Sequence, residues 1–438
     1  MELKPNDTVN LTIGAQATVI KELGRGGQGI VYLVDLAGQK MALKWYHNPP
    51  SDAFYKNLEH NVNENAKAKA KNEPFPSDAF IWPEYLTVKE HGSYGYIMRL
   101  RPNDYFEFGN YLLARKKFKS FDAMLAAAMK ICDGFKWLHR SGYSYQDLND
   151  GNFFIRPTDG DVLICDNDNV TAQGEVSGIL GKARYMAPEV VAGGKPDTYS
   201  DRFSLSVILF MLFFCNHPFE GKKVVACPCM TEAFEKKFYG SEALFIYDND
   251  DKSNLPVRGV HQNVIRRWPL FPSILKQTFI EQFNRQKLQN PTTRMKEMEW
   301  QKIIARVRDE LVVCPNCHED TFIDTKSGNH KCINCGYDID ISKQLKINNH
   351  NLILTPHTKL YMEDDNIPFG QVGNFPDDKE KCFIRNLTTS AWYVDTPSGK
   401  VKTVKSNEIM PILDGLKISF GSSVKGTKGE IVKIIQKN

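Results

Sequence analysis

The chain has no long apolar run. The longest, Leu205 to Cys215, is broken only by Ser206, and it is about half the length that a membrane-crossing helix needs. It reads as a buried helix of a large folded unit, and no membrane partner is expected. The opening residues, Met1 to Asp7, are polar and lack the apolar core of an export signal, so a cytoplasmic location is expected. Charge of one sign is scarce too. Lys and Arg total 56 against 52 Asp and Glu, and the basic residues are dispersed, which argues against nucleic acid as a partner. No repeat of solenoid period runs through the sequence. At 438 residues the chain is too long for one ordinary core, and two to four domains are expected.

Ten cysteines are present, and four of them fall in two Cys-x-x-Cys pairs. Without an export signal, a reducing compartment and a metal site are expected in place of a disulfide framework.

The hydrophobic period changes along the chain. Residues 9 to about 101 read as strands with one helix: Val9 to Ile13, Ala17 to Ile20, Ile30 to Val34 and Lys40 to Trp45 alternate or run apolar between Gly and Asn signals. Residues 52–72 suit an exposed helix, closed by Pro74 and Pro76. From Ser120, the positions Phe121, Leu125, Ala128, Cys132, Phe135 and Leu138 recur three or four apart, with Gly142 as a stop. That spacing predicts a long amphipathic helix. Further helical patterns lie near 201–215, 273–285 and 297–310. From 350 to 438 the sequence is strand-like again, which predicts a small β-sandwich.

The chemistry is concentrated between 145 and 168. Asp147 is followed five residues later by Asn152, and Asp166 ends the apolar stretch Asp161 to Cys165. One carboxylate can orient a hydroxyl while an amide and a second carboxylate hold magnesium against nucleotide phosphates, so the spacing suits phosphoryl transfer. Upstream, Gly24, Gly26 and Gly29 sit between two strand patterns, where glycines let backbone pass close over phosphates. The next element after them reads as a strand, which disfavours a dinucleotide-binding turn. Lys44 ends the following strand, and it could reach the α- and β-phosphates if an acid on the next helix positions it. Glu59, preferred, and Glu64 are the candidates. Five apart on an ideal helix, they cannot both serve.

With Arg184 to Glu189 and Asp201 to Leu205 further on, these segments resemble a eukaryotic-like Ser/Thr protein kinase over residues 9 to 310. The resemblance implies a bilobal α+β fold, with the first lobe at 9–101 and the second at 102–310. It implies ATP between the lobes, covered by Gly24, Gly26 and Gly29 and met by Val31, Ala42, Lys44 and the backbone around Met98 to Leu100. It further implies Asp147 and Lys44 as catalytic residues with Glu59 as partner, Asn152 and Asp166 as magnesium ligands, and Arg294 paired to Glu189. Phrases such as Ile81 to Pro83, Asp166 to Asp168 and His217 to Gly221 are similar to a bacterial subgroup found beside phosphatase and von Willebrand A-type proteins in tellurite-resistance-like stress clusters. That likeness implies a protein substrate, and a cognate phosphatase and a von Willebrand A-type protein as partners.

The sequence departs from the family pattern at four places. Tyr145-Gln146 replaces His-Arg, and Asn167-Asp168 replaces Phe-Gly. Asn149 stands where many members carry Lys, and Lys182 where a Thr is common. These changes bear on control and on the phosphoacceptor more than on nucleotide binding. The alternative to an active enzyme is an ATP-binding pseudokinase scaffold.

Two modules are expected after the second lobe. Cys314, Cys317, Cys332 and Cys335 have the spacing of two zinc knuckles, a zinc ribbon at 311–341 with a closed structural site. Residues 345–438 resemble the forkhead-associated fold in Val372 to Asn374, Arg385 to Ser390 and Leu413 to Gly421. The Arg after Gly and the Ser-x-x-His segment of phosphothreonine readers are missing, so phosphopeptide binding is not expected of it.

Overall fold

The computed structural model describes residues 2–48, 50–90, 92–175, 181–363, 365–396 and 399–433. Residues 434–438, the end of the stretch 350–438 expected to be strand-like, lie outside the described residues.

The first lobe is one antiparallel sheet and a helix. Strands β1 (Thr8–Asn10), β2 (Gln16–Arg25), β3 (Gly29–Leu36), β4 (Gln39–Tyr46), β5 (Pro83–Leu86) and β6 (Gly95–Arg99) order as β1-β2-β3-β4-β6-β5. One face buries Val19, Tyr32, Val34, Met41 and Leu43 in a compact apolar cluster. The other face meets helix α1 (Asp52–Lys69). Ser51 caps that helix by accepting from the Phe54 amide, an orphan donor at a helix start. Helix α1 buries Phe54 and Leu58 but also Asn61 and Asn65, and the amides on this inward face have definite uses. Asn57 and Asn61 both donate to the Val170 carbonyl, at 2.8 and 2.9 Å, and Asn65 donates to Pro83 at 3.0 Å.

The second lobe is mostly helical. The helix Phe121–Arg140 forms where the spacing predicts it, with Ser120 accepting from the Ala123 amide. Its apolar face packs with the almost wholly buried helix Thr198–Phe214 and with Ser273–Gln282 and Glu297–Asp309 in one large core. This core explains the long apolar run: every residue from Phe203 to Phe214 is buried within protein. Among the described residues no helix is long and apolar enough to cross a membrane.

Two further units follow. The strands Leu311–Val313 and Asp320–Phe322 pair antiparallel beside the four cysteines. Beyond them, a six-stranded and a four-stranded antiparallel sheet share a core that includes Leu345, Val372, Ile384, Trp392, Ile418 and Ile431. Both units are fastened to the second lobe. Phe322 joins the large core, and Asp320 accepts from the Phe121 amide at 2.9 Å. Tyr361 donates to Asp122 at 2.8 Å, and Arg308 donates to the Asp365 carbonyl and Asn366 Oδ1 at 2.9 and 2.7 Å.

Candidate active site

The place where Lys44 of the first lobe meets Asp166 and Asp168 of the second is built from short segments that hydrogen bonds fix in place. Asp147 follows the strand Tyr143–Ser144, and Asn152 ends the 3-10 turn Asp150–Asn152. Asn152 Nδ2 donates back to the Asp147 carbonyl at 2.9 Å, so the five-residue spacing closes on itself. Asn149 Nδ2 donates to Asp147 Oδ1 at 3.1 Å. The Asn149 Oδ1 accepts from Lys182 Nζ at 3.2 Å. Burial pushes the Asp147 carboxyl up to about 6. The Asn149 hydrogen bond and the Lys182 charge pull it down, while the Asp166 and Asp168 carboxylates add to the rise.

Asp166 adopts a left-handed backbone, φ +55°, after the strand Val162–Ile164. A non-glycine residue there stores strain that its surroundings must support. The support is visible. Asn167 is fully buried, and its amide donates to the Ile81 and Ile164 carbonyls at 2.7 and 3.0 Å. Tyr145 Oη donates to the Cys165 carbonyl. Gln146, also left-handed at φ +66°, donates from Nε2 to Ser144 Oγ, Thr171 Oγ1 and the Glu175 carbonyl. The Tyr145 and Gln146 amides donate to the two oxygens of buried Asp201, at 2.6 and 3.1 Å.

Lys44 reaches this cluster from β4. Its Nζ lies 3.3 Å from Asp166 Oδ1 and 2.8 Å from Asp168 Oδ2, and it donates to Gln28 Oε1 at 3.1 Å. The expected Glu59 partner is not there. Glu59 is exposed on α1, and Glu64 pairs with Lys67 at 2.6 Å. The physical reason is that the inward face of α1 carries amides that bond to backbone, while both glutamates fall on its outer faces. The buried anion near Lys44 comes instead from Asp168, a residue that sequence reasoning treated only as a departure from Phe-Gly.

The remaining expected residues assemble as follows. Gly24 is exposed at the end of β2, paired with Val31, and Gly26 is exposed in the β2–β3 turn, where its amide donates to the Gly29 carbonyl at 2.9 Å. Gly29 itself is buried, where a Cβ would collide with the Trp45 carbonyl. Ala42 and Met98 are cross-strand partners on β4 and β6. With Val31, Leu100 and, from the second lobe, Leu163 and Phe154, they form one apolar cluster. Arg294 makes a bidentate pair with Glu189, both contacts at 2.7 Å, as the resemblance implied.

The family described as "Protein kinase domain" matches residues 17–237, half of the chain. The chain belongs to the protein kinase family. Its kinase domain is similar to the serine/threonine-protein kinase pkn2 of Myxococcus xanthus, at 23% identity over 238 residues, which is 48% of this chain and 26% of that relative. It is also similar to the serine/threonine-protein kinase PknL of Mycobacterium tuberculosis, at 32% identity over 109 residues, 24% of this chain and 27% of that relative. The chain thus spans about a quarter of the length of these relatives. Among solved structures, vaccinia related kinase 3 is 17% identical, with a TM-score of 0.43, over 54% of this chain and 76% of that one.

Outside the kinase domain, the four cysteines converge. Their Sγ atoms all lie within 4.8 Å of one another, and among the described residues no other cluster of three or more such ligands occurs. Cys314 and Cys335 are 3.7 Å apart, and Cys317 and Cys332 are 3.6 Å apart. Four thiolates at about 2.3 Å from a tetrahedral ion would stand about 3.8 Å from each other, so the set fits a closed zinc shell. The two knuckles share a backbone. The His318 and Gly336 amides each donate to the first cysteine's carbonyl of their knuckle at 2.9 Å, and both residues have positive φ, +61° and +73°. His318 and His330 are not part of the cluster.

Proposed function

We propose that this chain is a protein kinase that transfers the γ-phosphate of ATP to Ser or Thr hydroxyls of a protein substrate. The observation that carries the reading is the convergence of Lys44 on Asp166 at 3.3 Å, across 122 residues of sequence, beside an Asp147 that Asn149 and Asn152 orient. Lys44 grips the α- and β-phosphates under the loop of Gly24, Gly26 and Gly29. Val31, Ala42, Met98 and Leu100 give the base an apolar bed. Asp166 and Asn152 would hold magnesium, which neutralises charge on the phosphate oxygens when bound.

Asp147 orients the acceptor hydroxyl. The acceptor oxygen bonds to the γ-phosphorus as the bond from that phosphorus to the bridging oxygen breaks. The electron pair leaves with ADP, and the hydroxyl proton passes to an Asp147 carboxylate oxygen. Lys182, held at Asn149, brings a cation to this side of the site, where the catalytic loop itself has none at 149.

The reading extends to the rest of the chain. The kinase lobes at 9–101 and 102–310 are followed by a structural zinc ribbon at 311–341, held by Cys314, Cys317, Cys332 and Cys335. A β-sandwich of forkhead-associated type at 345–438 completes it and serves as a docking or structural module. The likeness to the bacterial stress-cluster subgroup supports cytoplasmic stress signalling with a cognate phosphatase and a von Willebrand A-type protein. Incubation with magnesium and ATP, followed by mass spectrometry of the chain and of a generic acceptor, tests the reading. Phosphoserine or phosphothreonine is expected. Tight ATP binding without any phosphorylated residue would favour the pseudokinase scaffold.

A further inference from the structure

We infer that Asp168 is the residue that positions Lys44 for phosphate binding, in the role expected of an acid on α1. The inference rests on the kinase reading above. A lysine ammonium is a point charge on a flexible stem, and it holds phosphates in a defined place only when an anion anchors it. Three acids lie on α1, and none reaches Lys44. Asp52 pairs with Lys89 at 2.7 Å, Glu59 is exposed, and Glu64 pairs with Lys67. Asp168 is 0% exposed. Its Oδ2 accepts from Lys44 at 2.8 Å and from Tyr46 Oη at 2.5 Å. Its Oδ1 is buried with no hydrogen-bond partner among the described residues. A buried carboxylate so sparsely served depends on its counter-ion, and the dependence is mutual.

Asp166 cannot do this work alone. Its side chain is 44% exposed, and in the kinase reading it turns to the metal, while Asp168 stays with the lysine. One short segment, Asp166 to Asp168, therefore sets both the metal ligand and the lysine anchor. Asn167 pins that segment to Ile81 and Ile164. Helix α1 follows from behind, through Asn57 and Asn61 on Val170. Lys44 thus takes its anchor from the segment that α1 bonds to, and not from an acid of α1 itself.

The test compares full-length wild type with Asp168→Asn, Asp168→Glu, Glu59→Gln, Glu64→Gln and Tyr46→Phe, reading ATP affinity, KM for ATP, kcat and melting temperature. Asp168→Asn is expected to raise KM and lower kcat, cutting kcat/KM by about 100-fold, the scale of a misplaced catalytic group. Asp168→Glu recovers part of the loss, and Glu59→Gln and Glu64→Gln stay within about two-fold of wild type, as surface changes do. A folded Asp168→Asn chain with wild-type KM and kcat overturns the inference. So does a Glu59→Gln or Glu64→Gln chain whose kcat/KM falls by about 100-fold, the loss expected of Asp168→Asn. If Asp168→Asn does not fold, Tyr46→Phe decides: a raised KM for ATP supports the anchor, and an unchanged one overturns it. Should wild type transfer no phosphate, the kinase reading falls, and the ATP affinities of the same variants still decide the role of Asp168.

Discussion

Gln146 Nε2 donates to Thr171 Oγ1 at 2.5 Å, which ties the loop of Asp147 to the segment that follows Asp166. The same amide reaches the Glu175 carbonyl at 2.7 Å. The family pattern has an arginine at this position, suited to a phosphate on that segment. Here neutral hydrogen bonds join the two segments, and the expected consequence is that no added charge is needed. Gln146→Ala should cost about 1–3 kcal/mol in urea denaturation, the price of buried groups left unsatisfied. Phosphatase treatment of the wild type should leave its transfer rate unchanged. A rate that collapses after dephosphorylation would contradict this.

Arg294 and Glu189 lock the end of the second lobe. The arginine side chain is 1% exposed, its partner 33%. Arg294→Lys loses the two-pronged geometry that only a guanidinium offers. The expected loss is about 2–3 kcal/mol, below that for a wholly buried pair because Glu189 is partly solvated. Thermal melting of the two proteins checks it.

His139 gives the lobe a pH dependence of definite sign. It sits between Asp201 and Glu297, at 3.1 and 2.8 Å, and Arg202 also bonds Glu297 at 3.0 Å. Burial opposes its charge, but the hydrogen bonds to the two carboxylates prevail and raise it to about 9. Burial likewise works against ionised Glu297, yet His139 and Arg202 bring it down to about 2. The His139 contribution is fully present below the unfolded value of about 6.5 and is lost as pH rises through about 9. The Glu297 contribution is present above about 4.3 and is lost as pH falls through about 2. Urea titrations should show the wild type losing on the order of 3 kcal/mol more than His139→Gln between pH 6.5 and 9.5.

The cysteine cluster predicts about one zinc per chain by elemental analysis, and a closed shell that exchanges slowly. Because Phe322 belongs to the large core and Asp324 bonds Ser273, stripping the metal should lower the melting temperature of the kinase domain as well. Cys314→Ser should do the same. Unchanged melting after complete metal removal would show that the cluster is dispensable.

How legible all this was depends on the distance over which each feature is decided. The helix Phe121–Arg140 is written locally, in its cap at Ser120 and its apolar spacing. Asp147 and Asn152 are close enough for their relation to be a property of one turn. Each cysteine pair is also local, and only their convergence needed the structure. The partner of Lys44 was not legible, because it is settled by an ion pair between residues 124 apart and by which face of α1 points inward. The strand Lys343–Ile347 was missed for a similar reason. It has only two apolar residues, and it becomes central by pairing with both His350–Ile353 and Lys428–Lys433.

The most direct test of the central claim is transfer of labelled γ-phosphate from ATP, with magnesium, to the chain and to casein, for wild type and Asp147→Asn. The account predicts incorporation by wild type that falls by about 100-fold or more in the variant, the scale of removing a positioned acid–base group. ATP binding should be retained in both. Incorporation that is equal in the two proteins, or absent from an ATP-bound wild type, would contradict it.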